Sequence, residues 1–270
     1  MNVNGIHLHT AGDTGSPVLL LHGIGGSGRS FDAQLPELGR GHRAFAWDAP
    51  GYGASADPHG YPGMSGYAAS VVDVLDGLGA DSAHLVGVSW GGVIATRTAL
   101  LHPDRVRSLV LADSTRGSRL TEESASRMRA RARERARLGR LAFARERGPR
   151  LTAPHANPDV VEQVITLMSE LRLPGYAAAV ESMAETDHSD ALAHLSVPTL
   201  VVVGAQDRVT GVAESRALAE GIPGARLRII PGGHAANQEH PGEFNAAVRE
   251  FLSDVDSAVP AGPACQAGGA

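Results

Sequence analysis

Residues 87–92 read GVSWGG and sit between an apolar run, Ala83 to Val88, and a stretch of good helix formers, Val93 to Leu101. A strand that turns at once into a helix forces the corner residue into strained backbone, and glycine-like neighbours let the turn close without collision. Gly87, Ser89 and Gly91 at that corner therefore push a serine hydroxyl out above a sheet. The positive end of the following helix and its free N–H groups then lie close to any oxyanion formed there. Five residues with three fixed recur by chance, so the strand before and the helix after carry the meaning.

A serine hydroxyl is a poor nucleophile until a base takes its proton, and that base needs a carboxylate to orient it. The chain has 12 histidines. His234 lies in "PGGHAANQEHP", directly after an apolar run ending at Ile230, which places it in a loop at the carboxyl edge of a sheet. Asp207 lies in "GAQDRV", after "TLVVVG", at the same edge. Ser89, Asp207 and His234 follow one another in the order Ser, Asp, His, one of the chain orders known for such triads. Asp207 has a plainer alternative as a turn residue capping the next helix. Asp113, just after Ala112, is a rival acid, because a carboxylate there could also reach the histidine. His102, His194 and His240 flank helix ends and read as solvated surface groups.

Further out, short apolar runs alternate with helical patterns, the signature of a largely parallel sheet covered on both faces. Strands are expected at Val3 to Thr10, Val18 to Leu21, Arg43 to Trp47, His84 to Val88 and Val106 to Ala112, with helices from Gly66 to Leu78 and through Leu101. From Thr115 to Asp187 strand patterns give way to helical ones, punctuated by Pro149, Pro154, Pro158 and Pro174. The alternation resumes with strands Thr199 to Gly204 and Arg226 to Ile230 and helices Val212 to Gly221 and Pro241 to Val255. One sheet domain, residues 1–114 and 188–256, is thus interrupted by a helical insert, 115–187. An Ala, Gly and Pro rich tail, 257–270, has the composition of a disordered segment.

Composition narrows the function classes. With 270 residues, 43% of them hydrophobic, the chain can bury one large core. A formal charge of −5 gives no global pull toward nucleic acid or membrane. All 24 basic residues are arginine, and 12 of them fall between Arg116 and Arg150. A lone cysteine, Cys265, excludes an intrachain disulfide and a cysteine-based zinc site. The start, "MNVNGIHLHTAG", lacks a basic segment followed by an apolar stretch, and no run approaches the ~20 apolar residues that span a bilayer. A soluble cytoplasmic protein is expected.

The assembled motifs resemble those of the α/β-hydrolase superfamily, over about residues 3–255. "LLLHGIGGSG" is similar to the family's oxyanion loop, "DAPGYGAS" to its D-x-x-G-x-G-x-S turn, "GVSWGG" to its nucleophile elbow and "GGHAANQEHP" to its histidine loop. The resemblance implies an α/β-hydrolase fold: a mostly parallel eight-stranded sheet flanked by helices, with a helical cap inserted after the sixth strand. It also places oxyanion donors on the Trp90 and Ile24 amides, with Gly23 and Gly25 as alternatives in the same loop. No cofactor and no metal are implied. Ser89 stands where dehalogenases and epoxide hydrolases of this superfamily carry aspartate, and the absence of lysine removes the ammonium used by the hydroxynitrile lyases that it resembles. "LPGYAAAVESMAETD", Leu173 to Asp187, resembles the cap end of enol-lactone hydrolases and related ring-cleavage hydrolases.

The expected reaction is hydrolysis of a small ester or lactone through an acyl-enzyme. Carbon–carbon bond hydrolysis of a vinylogous 1,3-diketone, as in the meta-cleavage hydrolases, is the first alternative. A cofactor-free oxygenase or a ligand-binding protein on the same fold is the second. Arg127, Arg129, Arg131, Arg133, Arg135 and Arg137 alternate along one cap segment, with Met128, Ala132 and Ala136 as the apolar stripe between two basic ones. A solvated helix explains them, and so does one arginine reaching inward to a carboxylate on the small-molecule substrate. No aromatic platform accompanies the charge, which disfavours nucleic acid. A homodimer stays open. The Trp90 indole has two readings, packing under the cap or walling the site.

Overall fold

The computed structural model describes residues 1–258. In chain order it holds β1 (Asn2–Val3), β2 (Ile6–Ala11), β3 (Pro17–Leu21), the single turn α1 (Leu35–Leu38), β4 (Arg43–Trp47), α2 (Gly63–Gly77), β5 (Ala83–Val88), α3 (Trp90–Leu101) and β6 (Val106–Ala112). Four helices follow without a strand: α4 (Glu122–Leu138), α5 (Arg140–Arg147), α6 (Pro158–Ser169) and α7 (Leu173–Ala184). Then come β7 (Thr199–Gly204), α8 (Gly211–Gly221), β8 (Arg226–Ile230), the short α9 (Ala236–Glu239) and α10 (Pro241–Ala258).

The eight strands form one sheet in the order β1-β2-β4-β3-β5-β6-β7-β8. Pairing is parallel from β4 through β8 and antiparallel only where β1 meets β2 and β2 meets β4. Successive side chains of the central strands point to opposite faces. Leu85, Leu109 and Leu111 join one core with α2, α3 and the cap, while Val86, Val88, Val110 and Ala112 join a second with α1 and α10. Each fully buried Val or Leu contributes about 1.5–3 kcal/mol. Packing on this scale outweighs the ~1–3 kcal/mol that one strained residue costs, which is how the sheet tolerates the corner at Ser89.

Three expectations are corrected. The run Val3 to Thr10 is not one strand. Asn4 and Gly5 take φ of 50° and 84°, a two-residue turn that folds β1 back on β2, as an Asn-Gly pair between apolar runs favours. The chain end is helical further than its composition suggests, since α10 runs through Ser257 and Ala258; the rest of the expected tail, with Cys265, lies outside the described residues. Finally, α4 docks by Ala125, Met128, the half-buried Ala132 and the stem of Arg135, whereas Ala136, the end of the expected stripe, is exposed. At ~100° per residue, the i+8 position has rotated away from the docked face, whereas i−3 and i+7 have not.

Candidate active site

Ser89 occupies the corner between β5 and α3 with φ 54° and ψ −116°. The flanking glycines are required by close approach. A Cβ on Gly87 would strike the backbone of Gly91 and Gly92, and one on Gly91 would strike the carbonyl oxygen of Leu21. The corner is pinned from below, because Ser89 N–H donates to Ala112 O at 2.8 Å and Ser114 Oγ donates to Ser89 O at 2.9 Å.

His234 arrives on the loop after β8 and Asp207 on the loop after β7, both at the carboxyl edge of the sheet beside Ser89. Ser89 Oγ lies 2.9 Å from His234 Nε2, and His234 Nδ1 lies 3.0 Å from Asp207 Oδ2. With Nδ1 donating to the carboxylate, Nε2 is left to accept the serine proton. Asp207 also accepts from Thr210 Oγ1 at 2.6 Å and from Val209 N–H at 2.7 Å. Burial pushes its carboxyl upward, but the bond and charge of His234, then Thr210 and Val209, outweigh burial and hold it well below the usual carboxylate range. It stays ionised and keeps the imidazole oriented.

Asp113 is turned away from this chain. Its Oδ1 accepts from Gly204 N–H at 2.8 Å and its Oδ2 is buried without a partner. Burial, in the first place, raises its carboxyl well above the usual range.

The loop from His22 to Gly26 passes directly over Ser89. Gly23 packs against it, a Cβ there falling 3.3 Å from Ser89 Cβ, whereas Gly25 lies under Met168 of α6. His22 holds the loop in place: Nδ1 donates to Gly23 O at 2.8 Å and Nε2 accepts from Ala49 N–H at 3.1 Å. Burial lowers the pKa of this histidine to about 4, against the pull of Gly23 O and Asp48, so it is neutral at pH 7. Tyr52 Oη donates to Ile24 O at 3.2 Å and Gly26 N–H to Gly23 O at 3.0 Å. Ile24 lines the cavity above Ser89, and no backbone carbonyl among the described residues takes the Ile24 N–H. The Trp90 N–H heads a helix, where amides have no intrahelical acceptor.

The Trp90 indole packs under the cap. It is fully buried, its Nε1 donates to Ser182 Oγ of α7 at 3.1 Å, and its ring meets Tyr67 edge-on at 4.8 Å and Tyr52 at 5.4 Å. One side chain thus ties the Ser89 corner to the cap by an aromatic cluster.

Sequence reasoning passed over three further supports. Thr210 follows Asp207 by three residues, a spacing at which a hydroxyl can bond back to the carboxylate. Glu239 braces the histidine loop, accepting from Gly233 N–H at 2.8 Å and from Ala153 N–H of the cap at 2.9 Å. His22 carried a signal in the "LLLHG" motif itself, but its two backbone partners come from contacts that spacing does not display.

Similarity to known proteins agrees with this fold. The alpha/beta hydrolase fold family model matches residues 16–241. A 3-oxoadipate enol-lactonase of Acinetobacter baylyi is 30% identical over 247 residues, covering 90% of this chain and 91% of that one. A 2-hydroxymuconate semialdehyde hydrolase of Pseudomonas sp. (strain CF600) is 30% identical over 269 residues, covering 93% and 92%. Among solved structures, a thermophilic esterase from Thermogutta terrifontis, with malate bound, superposes with a TM-score of 0.87 at 32% identity, covering 93% of each chain. The chain belongs to the α/β-hydrolase family and is a hydrolase.

Proposed function

We propose that this hydrolase cleaves small esters or lactones through an acyl-enzyme on Ser89. The carrying observation is the unbroken chain Ser89 Oγ–His234 Nε2 and His234 Nδ1–Asp207 Oδ2, at 2.9 and 3.0 Å, opening into a cavity. Ser89 Oγ attacks the carbonyl carbon while His234 Nε2 takes its proton, and the carbonyl π pair moves onto oxygen. The Ile24 and Trp90 amides receive that oxyanion, an arrangement in which each donor contributes about 3–4 kcal/mol. The oxyanion collapses, the carbon–oxygen bond to the alcohol breaks, and His234 returns the proton to the leaving oxygen. Water, deprotonated by His234, then releases the acid from Ser89. Asp207 orients and stabilises the imidazolium without taking its proton. Val164, Leu167 and Met168 line the cavity, suiting a small, largely apolar acyl or alkyl group.

A 3-oxoadipate enol-lactonase and an esterase among the relatives favour this reading. Carbon–carbon hydrolysis is a second reading, favoured by the 2-hydroxymuconate semialdehyde hydrolase at equal identity. The test is turnover of p-nitrophenyl acetate and of a dienoate ring-fission product, with fluorophosphonate labelling of wild type and Ser89→Ala. Ester turnover and labelling that both vanish in Ser89→Ala are expected. Turnover of the dienoate alone would move the assignment to the second reading, and an unlabelled, inert wild type would leave a cofactor-free oxygenase or a binding role, which an O₂-uptake assay separates.

A further inference from the structure

The cap contributes Arg131, Arg147 and Tyr176 to the cavity above Ser89, and no Asp or Glu lines that cavity. The partners of the arginines between 116 and 150 sort them sharply. Arg116 is held by Glu214, Arg127 by Glu123, Arg129 by Glu181, Arg150 by Glu146 and Arg147 by Glu134. Arg135 donates to Leu171 O at 3.0 Å. Arg119, Arg133, Arg137, Arg140 and Arg145 face solvent. Arg131 fits neither group. It is half-buried at the cavity, and among the described residues its guanidinium has no hydrogen-bond or ion-pair partner.

The position of Arg131 is as distinctive as its lack of a partner. It lines both indentations that include Ser89 and also the neighbouring one bounded by Pro149 and Arg208, so it stands where all three meet. The only carboxylate lining any of them is Glu214, which Arg116 and Thr115 already occupy. Burial, and then the like charge of Arg147, make this an unfavourable place for a cation. A buried charge is tolerated when an opposite charge completes it. A planar guanidinium with five donors is suited to grip a carboxylate through two parallel hydrogen bonds.

We propose that Arg131 is a substrate-binding residue and that the preferred substrate is a small ester or lactone bearing a free carboxylate. The carboxylate supplies the missing partner of Arg131 while the scissile carbonyl rests on Ser89. Arg147, which lines the same cavity and pairs with Glu134 at 3.7 Å, adds positive potential there. This inference rests on the reading of Ser89 as the nucleophile, so its test has one arm that needs no turnover.

In the first arm, kcat/KM is measured for mono-p-nitrophenyl glutarate and for p-nitrophenyl pentanoate, a near-isostere without the charge. The ratio of charged to neutral substrate is expected to fall about 10- to 100-fold in Arg131→Ala, the range for a charged hydrogen bond, and to recover in part in Arg131→Lys. Arg133→Ala, an exposed position on the same helix, keeps the wild-type ratio. A ratio unchanged in Arg131→Ala, or lowered equally in Arg133→Ala, overturns the proposal. In the second arm, glutarate binding to Ser89→Ala is followed by calorimetry with and without Arg131→Ala. Binding that disappears with the arginine supports the assignment even if neither ester is turned over, in which case the nucleophile reading alone has failed. Binding that is absent, or indifferent to Arg131→Ala, rejects it.

Discussion

Strand β5 carries a serine–histidine–aspartate cluster at each end, and only one has the geometry of the proposed chemistry. Past its carboxyl end, Ser89 meets His234 and Asp207. At its amino end, His84 Nδ1 accepts from Ser108 Oγ at 2.7 Å while Nε2 donates to Asp256 Oδ1 at 3.1 Å. The residue types match, but their surroundings differ. Asp256 is shared with Arg107 at 2.8 Å and with Ser16 at 2.7 Å, and His84 is wholly sealed. Among the described residues Asp207 pairs with no basic side chain but His234, its serine is held at positive φ, and a cavity opens above it. A reactive triad therefore needs an undivided carboxylate, a strained and accessible hydroxyl, and room for a substrate. Where an arginine has already neutralised the acid and the histidine is sealed, the same three residue types become a strut joining α10 to the sheet.

The largest contrast is expected from the two serines. Ser89→Ala should lower ester turnover by about 10⁴- to 10⁶-fold with the melting temperature retained. Ser108→Ala should leave kcat close to wild type but cost about 1–3 kcal/mol, because a buried imidazole nitrogen loses its donor. Steady-state kinetics and thermal melts on both variants check this. A loss of turnover in Ser108→Ala without loss of stability would break the comparison.

The two carboxylates should follow suit with a smaller effect. Asp207→Asn should drop kcat by about 10⁴-fold through the wrong imidazole tautomer. Asp256→Asn should keep kcat and lower the melting temperature, since Arg107, Ser16 and His84 all lose a charged acceptor. An Asp207→Asn variant with near-native turnover would remove Asp207 from the triad.

The pH dependence of stability comes next. Burial lowers the pKa values of His22, His84 and His188 from 6.5 to about 4. The folded state then binds fewer protons than the unfolded one between those values, so stability rises with pH across that window and is lost as pH falls through it. Melts from pH 7 down to pH 4 should show this slope. His188 is the cleanest probe, because both ring nitrogens are buried without partners. His188→Leu should flatten the slope, and an unchanged slope would show that His188 is not among its sources.

Asp113 gives the smallest and opposite effect. Its raised pKa means that the folded state binds the extra proton, so it costs stability as pH rises above the unfolded carboxylate value. Asp113→Asn keeps an acceptor for Gly204 N–H and should raise the melting temperature at pH 8 but not at pH 4. An equal shift at both would refute a protonated carboxyl there.

Much of the fold was legible because its signals are local. Short apolar runs mark β4 and β6 to the residue, and the Gly-x-Ser-x-Gly corner announces itself over five positions. The cap was less legible. Its helices showed as propensity and proline punctuation, but the docking face of α4 depended on what lies beneath Arg135, where a carbonyl of Leu171 accepts the guanidinium. Sequence offered Asp207 and Asp113 as acids at adjacent strand ends. Their choice rests on the directions of two side chains, and Asp113 spends one oxygen on Gly204 N–H.

By itself, the sequence determined the order of strands and helices, the serine at the corner and the short menu of partners it could have, because glycine, proline and apolar periodicity act over a few residues. Only the tertiary structure decided which acid meets His234, that the Trp90 indole is a strut under α7, and which cap arginine faces Ser89 without a partner. These depend on distances between elements far apart in the chain, and a run of similar arginines looks uniform until packing gives most of them a carboxylate or the open solvent and turns one, half-buried and without a carboxylate among the described residues, into the cavity.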